Sequence, residues 1–384
     1  MTMREASFAK AVLFLLAPLL LALPARAALP VPPPPRIEAS AWLLVDAQSG
    51  RTLAEKDPDA RIEPASLTKL MTAYIAFTAL KDGRLKLGQA LPVSEQAWRA
   101  EGSRMFLDPR KPATVDELLK GMIVQSGNDA CIVLAEGIAG SEESFAALMN
   151  ATAKQLGMSN THFTNATGLP HPQHYTTARD LSRLTLALIR QYPEFYKLYS
   201  MKEYAYNGIT QPNRNRLLWS DPSVDGVKTG HTKSAGYCLI ASGQRDQRRL
   251  ISVVLGAGSD AGRAMESQKL LNYGFQFFET ARIYTARQVV APVRVYKGKS
   301  NEVKAGFLSD FYVTVPRGAA SRVKAQLITQ EPLMAPISRG QQVAWLRLSL
   351  DGKPLGDYPL VATESVGVAS AFGRAWDSLL LMFK

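Results

Sequence analysis

Ser66 and Lys69 stand three residues apart at the head of an apolar run with helical periodicity, a spacing that sets a hydroxyl and an amine on one face of a helix. A serine hydroxyl is inert as a nucleophile until a base removes its proton. A lysine can be that base only when neutral, which requires desolvation and nearby positive charge to lower its pKa. Two other strings supply what such a pair lacks. Ser126-Gly127-Asn128 offers a second hydroxyl and an amide in a Gly-containing turn, and Lys228-Thr229-Gly230 offers a cation, a hydroxyl and a residue without a side chain. Together these groups suit transfer of an acyl group from an anionic substrate to serine.

Each string alone is a weak signal. Ser-x-x-Lys occurs three times, at Ser7–Lys10, Ser66–Lys69 and Ser321–Lys324, whereas Ser-x-Asn and Lys-Thr-Gly each occur once. Only Ser66 precedes a helix-like apolar run, with the other strings following after 60 and then 102 residues. In this reading Ser126 relays a proton towards the leaving group, and Asn128 orients Lys69 and the substrate amide. The plainer alternative is that Ser126 and Asn128 cap the next helix. Lys228, Thr229 and Gly230 lie on an edge strand, where Lys228 supplies charge, Thr229 a hydroxyl and Gly230 room for a substrate backbone. The backbone N–H groups of Ser66 and His231 are the oxyanion donors. Lysine as base fits the lack of a Ser-His-Asp arrangement.

The elements that must position these groups follow from periodicity. Ala41–Asp46 reads as a strand with a hairpin return over 51–56. Leu67, Leu70, Met71, Tyr74 and Ile75 mark a helix ended by Asp82-Gly83. Further helices are expected over 115–120, 128–138, 143–157 and 177–192. Strands are expected over 236–242 and 249–255 with a turn at 244–246, then a helix over 264–280. Strands flanking a helical block make an α/β acyl-transfer domain over 37–284. From Gln288 strand patterns dominate, with Asp351-Gly352 as a hairpin turn, giving a small β-rich domain over 285–363.

Arg4 and Lys10, the apolar run Ala11–Leu23 and Ala25-Arg26-Ala27 read as a secretory signal over 1–27, cleaved after Ala27. A Pro-rich tether follows over 28–36. The chain carries a formal net charge of +12, of which the leader accounts for +2 through Arg4, Lys10 and Arg26 against Glu5. Export and the lack of RNP, zinc-finger or helix-turn-helix patterns argue against nucleic acid; anionic lipid or wall polymer is the better match. Cys131 and Cys238 sit in apolar runs and read as buried free thiols. The four histidines lack metal-site spacing, and no metal is expected. Val368, Phe372, Trp376, Leu379, Leu380 and Phe383 form one apolar stripe, so 364–384 reads as an amphipathic helix lying on a membrane surface.

The runs Glu63-Pro64-Ala65-Ser66-Leu67-Thr68-Lys69-Leu70-Met71-Thr72, Ser126-Gly127-Asn128-Asp129-Ala130 and Asp225-Gly226-Val227-Lys228-Thr229-Gly230-His231-Thr232 resemble the serine-type D-alanyl-D-alanine carboxypeptidases, the low-molecular-mass penicillin-binding proteins. Ser103–Leu107, Asn165–Leu169, Asn213–Asn215 and Gly262-Arg263 with Glu266-Ser267 extend the match. The resemblance implies an α/β (α+β) penicillin-binding-protein-like transpeptidase domain, also the serine β-lactamase fold, followed by a small all-β domain and the C-terminal amphipathic helix. It implies removal of the terminal D-alanine from peptidoglycan pentapeptide stems through an acyl-enzyme that water resolves, inhibition by β-lactam acylation, and no cofactor. It casts Arg263 as a ligand of the terminal carboxylate, and Arg214 and the 102–111 loop as the site rim. The expected location is the outer face of the cytoplasmic membrane, in the periplasm.

Three alternatives stay open. A β-lactamase would need a glutamate-bearing loop after the second string, and 167–172 reads Thr-Gly-Leu-Pro-His-Pro. A non-catalytic wall-binding protein would have no need of intact Ser66, Lys69, Ser126, Asn128, Lys228 and Thr229. Endopeptidase action on peptide cross-links is the same chemistry on another substrate.

Overall fold

Alternate residues of the central strands enter different cores, and this places the main sheet between two helical layers. In the computed structural model, which describes residues 31–329 and 332–382, Leu43 and Val45 pack in one cluster while Trp42 and Leu44 pack in the other. Ile240 against Leu239, and Val253 against Val254, divide the same way, as the two-residue period of a strand requires. The sheet runs in the order Thr52–Lys56, Ala41–Asp46, Arg248–Ala257, Gly236–Arg245, Val224–Thr232, antiparallel throughout. The strand carrying Lys228 is thus an edge, with one side unpaired in the sheet. The expected leader and cleavage site, the first residues of the tether, and Phe383 lie outside the described residues. Within the tether, Pro32 accepts a hydrogen bond from Tyr273 Oη at 2.9 Å, and Val31 packs on the second core.

The helix Lys69–Lys81 forms the centre of the helical layer. Leu70, Met71, Ala73–Phe77 and Ala79 are all buried, so the helix is apolar around its circumference rather than on one stripe. Val115–Val124 starts with a Thr114/Glu117 capping box, Asn128–Ala139 ends at Gly140 with φ +81°, and Glu142–Gln155 and Ala178–Gln191 are capped by Ser141 and Thr177.

Two expectations are corrected. The helix expected over 264–280 runs Asp260–Phe277, opened by Ser259, whose Oγ accepts from the Gly262 N–H at 2.9 Å. Its end is capped by Arg248 Nη1, which donates to the carbonyls of Gly274 and Phe278 at 2.9 and 2.7 Å, and Phe278–Tyr284 leaves as a strand paired with Phe311–Pro316. The turn expected at 244–246 is shorter. Arg245 still pairs with Arg248, leaving Asp246-Gln247 as the loop, with Asp246 at φ +54°.

The β-rich part has a second five-stranded sheet ordered Val289–Arg294, Glu302–Gly306, Lys353–Ala362, Gln342–Leu350, Val323–Thr329. Its core is formed by Val293, Val303, Val315, Leu346, Leu348 and Leu360. A polar lock joins it to the main sheet. Buried Asp46 accepts from Arg248 Nε at 3.0 Å and from Thr280 Oγ1, and Thr314 Oγ1 lies 2.6 Å from Ser49 Oγ. The final helix, Ala371–Leu381, buries none of its residues. Its lead-in is tied down where Ala369 N–H donates to the Lys297 carbonyl at 2.8 Å. No described helix is long and apolar enough to cross a membrane.

Candidate active site

Ser66 lies on a single 3-10 turn, Ala65–Thr68, that feeds into the Lys69–Lys81 helix. Ala65 before it is fully buried at φ +48°, a left-handed conformation that a non-glycine residue adopts only under local constraint. Lys69 is 2% exposed. Its Nζ lies 3.0 Å from Ser66 Oγ, 2.7 Å from Asn128 Oδ1 and 2.6 Å from the Thr167 carbonyl. Burial holds its pKa below the ordinary lysine value; Cys131 and Asp129 oppose that shift, and Arg214 adds to it.

This arrangement has a direct chemical consequence. A neutral amine has two N–H donors and one lone pair. The Asn128 and Thr167 oxygens can only accept, so both N–H groups are directed to them. The lone pair is then left facing Ser66 Oγ, the one neighbour with a proton to give.

Ser126 and Asn128 are not helix caps. The N-cap of Asn128–Ala139 is Gly127, with no side-chain cap. Ser126, at φ +61°, instead accepts from Lys228 Nζ at 3.0 Å. Asn128 Nδ2 donates to the Glu101 carbonyl at 2.6 Å, and the Asn128 N–H to the Ser103 carbonyl at 2.7 Å. Next to it, buried Asp129 accepts from the Met105 and Leu107 N–H groups at 3.0 and 3.2 Å. The helix start therefore holds the 101–107 rim and orients the lysine together.

Lys228 is 4% exposed on the edge strand. Its pKa is lowered well below the ordinary value by burial first, then by the charges of Lys69, Arg214 and Arg263. Gly230 passes close to the Ser66 turn, since a Cβ there would meet the Pro64 carbonyl at 3.1 Å and Ala65 Cβ at 3.3 Å. Arg263, 5% exposed, donates from Nη1 to the Gly230 carbonyl at 3.1 Å and pairs through Nη2 with Asp260. Ser66, Ser126, Thr229, Gly230, Arg214 and Arg263 share one cleft of about 420 Å³, with His231 and Ser103 also on its wall. The His231 ring stacks on Tyr237 with centroids 4.1 Å apart. Arg214 is exposed, on a loop pinned by buried Asn213 and Asn215.

Seven of the ten sequence-predicted site residues line this cleft, and the buried Lys69, Asn128 and Lys228 join it through hydrogen bonds to Ser66, Lys69 and Ser126 respectively. Nothing in the sequence marks Thr167 or Asp129: the first acts through a backbone carbonyl, and the second by gripping main-chain N–H groups. His174, also overlooked, bridges Thr68 and Thr164. The decoy pair Ser321 and Lys324 is exposed on the β-rich part. Cys131 and Cys238 are free and buried, as expected. Among the described residues no cluster of three or more His, Cys, Asp or Glu could hold a metal.

The family model for D-alanyl-D-alanine carboxypeptidase matches residues 28–259, and that for the penicillin-binding protein 5 C-terminal domain matches 278–368. D-alanyl-D-alanine carboxypeptidase DacC of Escherichia coli K12 is 45% identical over 357 residues, covering 91% of this chain and 89% of the relative. DacA of Haemophilus influenzae is 43% identical, covering 91% of each. A crystal structure of penicillin binding protein 5 from Haemophilus influenzae superposes with a TM-score of 0.83 at 43% identity, over 87% of this chain and 99% of that one. With a serine, a buried lysine and an open edge strand meeting in one cleft, and with matches that run through both parts of the molecule, the chain belongs to the serine-type D-alanyl-D-alanine carboxypeptidase family.

Proposed function

We propose that this carboxypeptidase works through Ser66 as nucleophile, Lys69 as its base and Ser126–Lys228 as the path returning a proton to the leaving group. The observation that carries this reading is the set of three contacts at Lys69 Nζ, which leaves its lone pair on Ser66 Oγ. Ser66 Oγ attacks the carbonyl of the penultimate D-alanine as Lys69 takes its proton. The oxyanion is held by the N–H groups of Ser66 and His231. The amine of the last D-alanine leaves with the proton that Lys69 took from Ser66, passed back through Ser126 Oγ, 3.0 Å from Lys228 Nζ, so Lys69 is neutral again. Water then attacks the ester, giving its proton to Lys69, which passes it to Ser66 Oγ as the acyl bond breaks, so both Ser66 and neutral Lys69 are regenerated.

The substrate strand lies along the open side of the Lys228 strand. Its carboxylate is met by Thr229 and Arg263, with Arg214 adding charge at the rim; an arginine fork matches a carboxylate in plane. The substrate class is the peptidoglycan pentapeptide stem, and β-lactams acylate the same serine. Mass spectrometry after penicillin treatment should place one adduct on the Ser66 peptide and none in Ser66→Ala. Product analysis on a pentapeptide and on a cross-linked dimer separates carboxypeptidase from endopeptidase action. Release of D-alanine from neither would refute the assignment.

The same reading puts the enzyme in the periplasm with the final helix on the membrane surface. Phe372 is 86% exposed and Trp376 59%, with Leu379 and Leu380 also exposed. Burying several such groups at about 1.5–3 kcal/mol each outweighs the weak charge of the segment. Truncation after Ser370 spares the pairing of Val366 with Ile337. It should give a soluble, active enzyme; unchanged membrane retention would place the anchor elsewhere.

A further inference from the structure

The Thr167 carbonyl sits 2.6 Å from Lys69 Nζ, yet it belongs to an irregular loop, and something must fix it there. Inside the loop, Asn165 Oδ1 accepts from the N–H groups of Thr167 and Gly168 at 3.2 and 2.7 Å. From the Lys69 helix, Thr72 Oγ1 donates to the Ala166 carbonyl at 2.7 Å. From the helix starting at Glu142, Glu142 Oε1 accepts from the Ala166 N–H at 3.0 Å, and a further tie runs through an imidazole. His174 Nδ1 lies 3.1 Å from the Thr164 N–H and 2.9 Å from Thr164 Oγ1, and its Nε2 lies 2.8 Å from Thr68 Oγ1. A backbone N–H only donates, so Nδ1 is the acceptor, and the ring proton sits on Nε2 and is given to Thr68. Thr68 lies on the turn between Ser66 and Lys69.

We infer that His174 is a positioning residue for the Lys69 base, a clasp that ties the Ser66 turn to the loop presenting the Thr167 carbonyl. This rests on Lys69 being the base of the reaction. The clasp needs a neutral ring, because a proton on Nδ1 would face the Thr164 N–H. Burial, then the charges of His162, His171 and Lys69, push the His174 pKa down to about 4, so the acceptor persists through the neutral range. The ring is 2% exposed and packs edge-on against Phe163 with centroids 5.7 Å apart.

Opening the clasp has two effects on Lys69. The neutral amine loses one of the two acceptors that aim its lone pair at Ser66, which slows acylation. The ammonium form loses an acceptor as well, so the base's pKa falls. The groups facing Lys69 from the packed elements are Cys131 and Asp129 from the Asn128 helix, Lys228 from the edge strand and Arg214 from its loop, and none of these is altered.

The test uses the full chain with Thr68→Val, Thr68→Ser, His174→Asn and the Thr68→Val/His174→Asn pair. Acylation by a fluorescent penicillin and hydrolysis of a D-alanyl-D-alanine peptide are followed across pH, with thermal unfolding alongside. Thr68→Val should lower the acylation rate about tenfold or more with KM unchanged, since small misplacements of reacting groups are costly. The acid limb of its rate profile should move to lower pH, and Thr68→Ser should restore both. His174→Asn, which keeps an acceptor for Thr164 but cannot reach Thr68, should behave like Thr68→Val. The double variant should lose no more than the worse single, the sign of one shared interaction. Rates within twofold of the unaltered enzyme, a lowered rate with an unmoved acid limb, or additive losses would each overturn the clasp. If Lys69→Arg acylates normally, the base assignment fails instead, and that result is read separately.

Discussion

A β-carbon on Gly168 would stand 1.8 Å from the carbonyl oxygen of Ala65. Gly168 has φ +88°, and its neighbour supplies the carbonyl that Lys69 Nζ contacts, so the proposed base and the residue before Ser66 are packed through a position that only glycine fits. Gly168→Ala should therefore cut penicillin acylation at least about tenfold. Stopped-flow acylation of the purified variant checks this; a normal rate would show that the loop can shift without disturbing Lys69.

Arg214 lowers the pKa of both buried lysines, and its removal should be visible in the pH profile. Only neutral Lys69 can accept the Ser66 proton, so acylation fails as pH drops through the Lys69 pKa. Arg214→Ala lets that pKa rise, so the acid limb moves to higher pH, opposite to the shift expected for the opened clasp. Arg214→Lys should hold the limb in place. A limb unmoved in Arg214→Ala would mean that burial alone depresses Lys69.

Arg263 both anchors the Gly230 carbonyl and lines the cleft. Arg263→Ala should weaken cleavage of a free-acid peptide more than of its C-terminal amide. Equal losses on the two substrates would confine Arg263 to holding the strand.

Asp46 is fully buried, and its partner Arg248 keeps 13% of its side chain exposed. Asp46→Ala leaves that guanidinium unpaired inside the junction of the two parts. Breaking a buried pair in this way costs about 3–5 kcal/mol. Chemical denaturation should register that loss; a change under about 1 kcal/mol would show that the lock is dispensable.

His174 ties stability to pH. Its pKa is about 4 in the folded protein against an ordinary 6.5, so between those values the unfolded chain binds the extra proton. Stability is full above pH 6.5 and falls as pH drops towards 4, by up to about 3 kcal/mol. His174→Asn should flatten that part of the stability profile, measured by denaturant midpoints at fixed pH values. A parallel curve would assign the acid sensitivity to other groups.

The chemistry-bearing side chains were legible because their spelling is local. Ser66 and Lys69 share a helical face through spacing alone, and a serine, an amide and two lysines name a reaction type before any fold is known. The main strands were legible for a similar reason, since their apolar runs must alternate between two cores. What the tertiary structure decided is where backbone groups fall. Thr167 contributes a carbonyl that every residue has, so nothing in its side chain marks it as the second acceptor for Lys69. Asp129 sits in the first turn of the Asn128–Ala139 helix, and its grip on the Met105 and Leu107 N–H groups depends on a rim more than twenty residues away in sequence. The helix over 260–277 carries on in sequence as strand-compatible residues, and its end is capped by Arg248, which reaches from another strand to the Gly274 and Phe278 carbonyls. The lowered pKa of Lys69, on which its proposed role as base depends, is likewise a property of burial, which the chain acquires only when both its helical layer and its edge strand close around the amine.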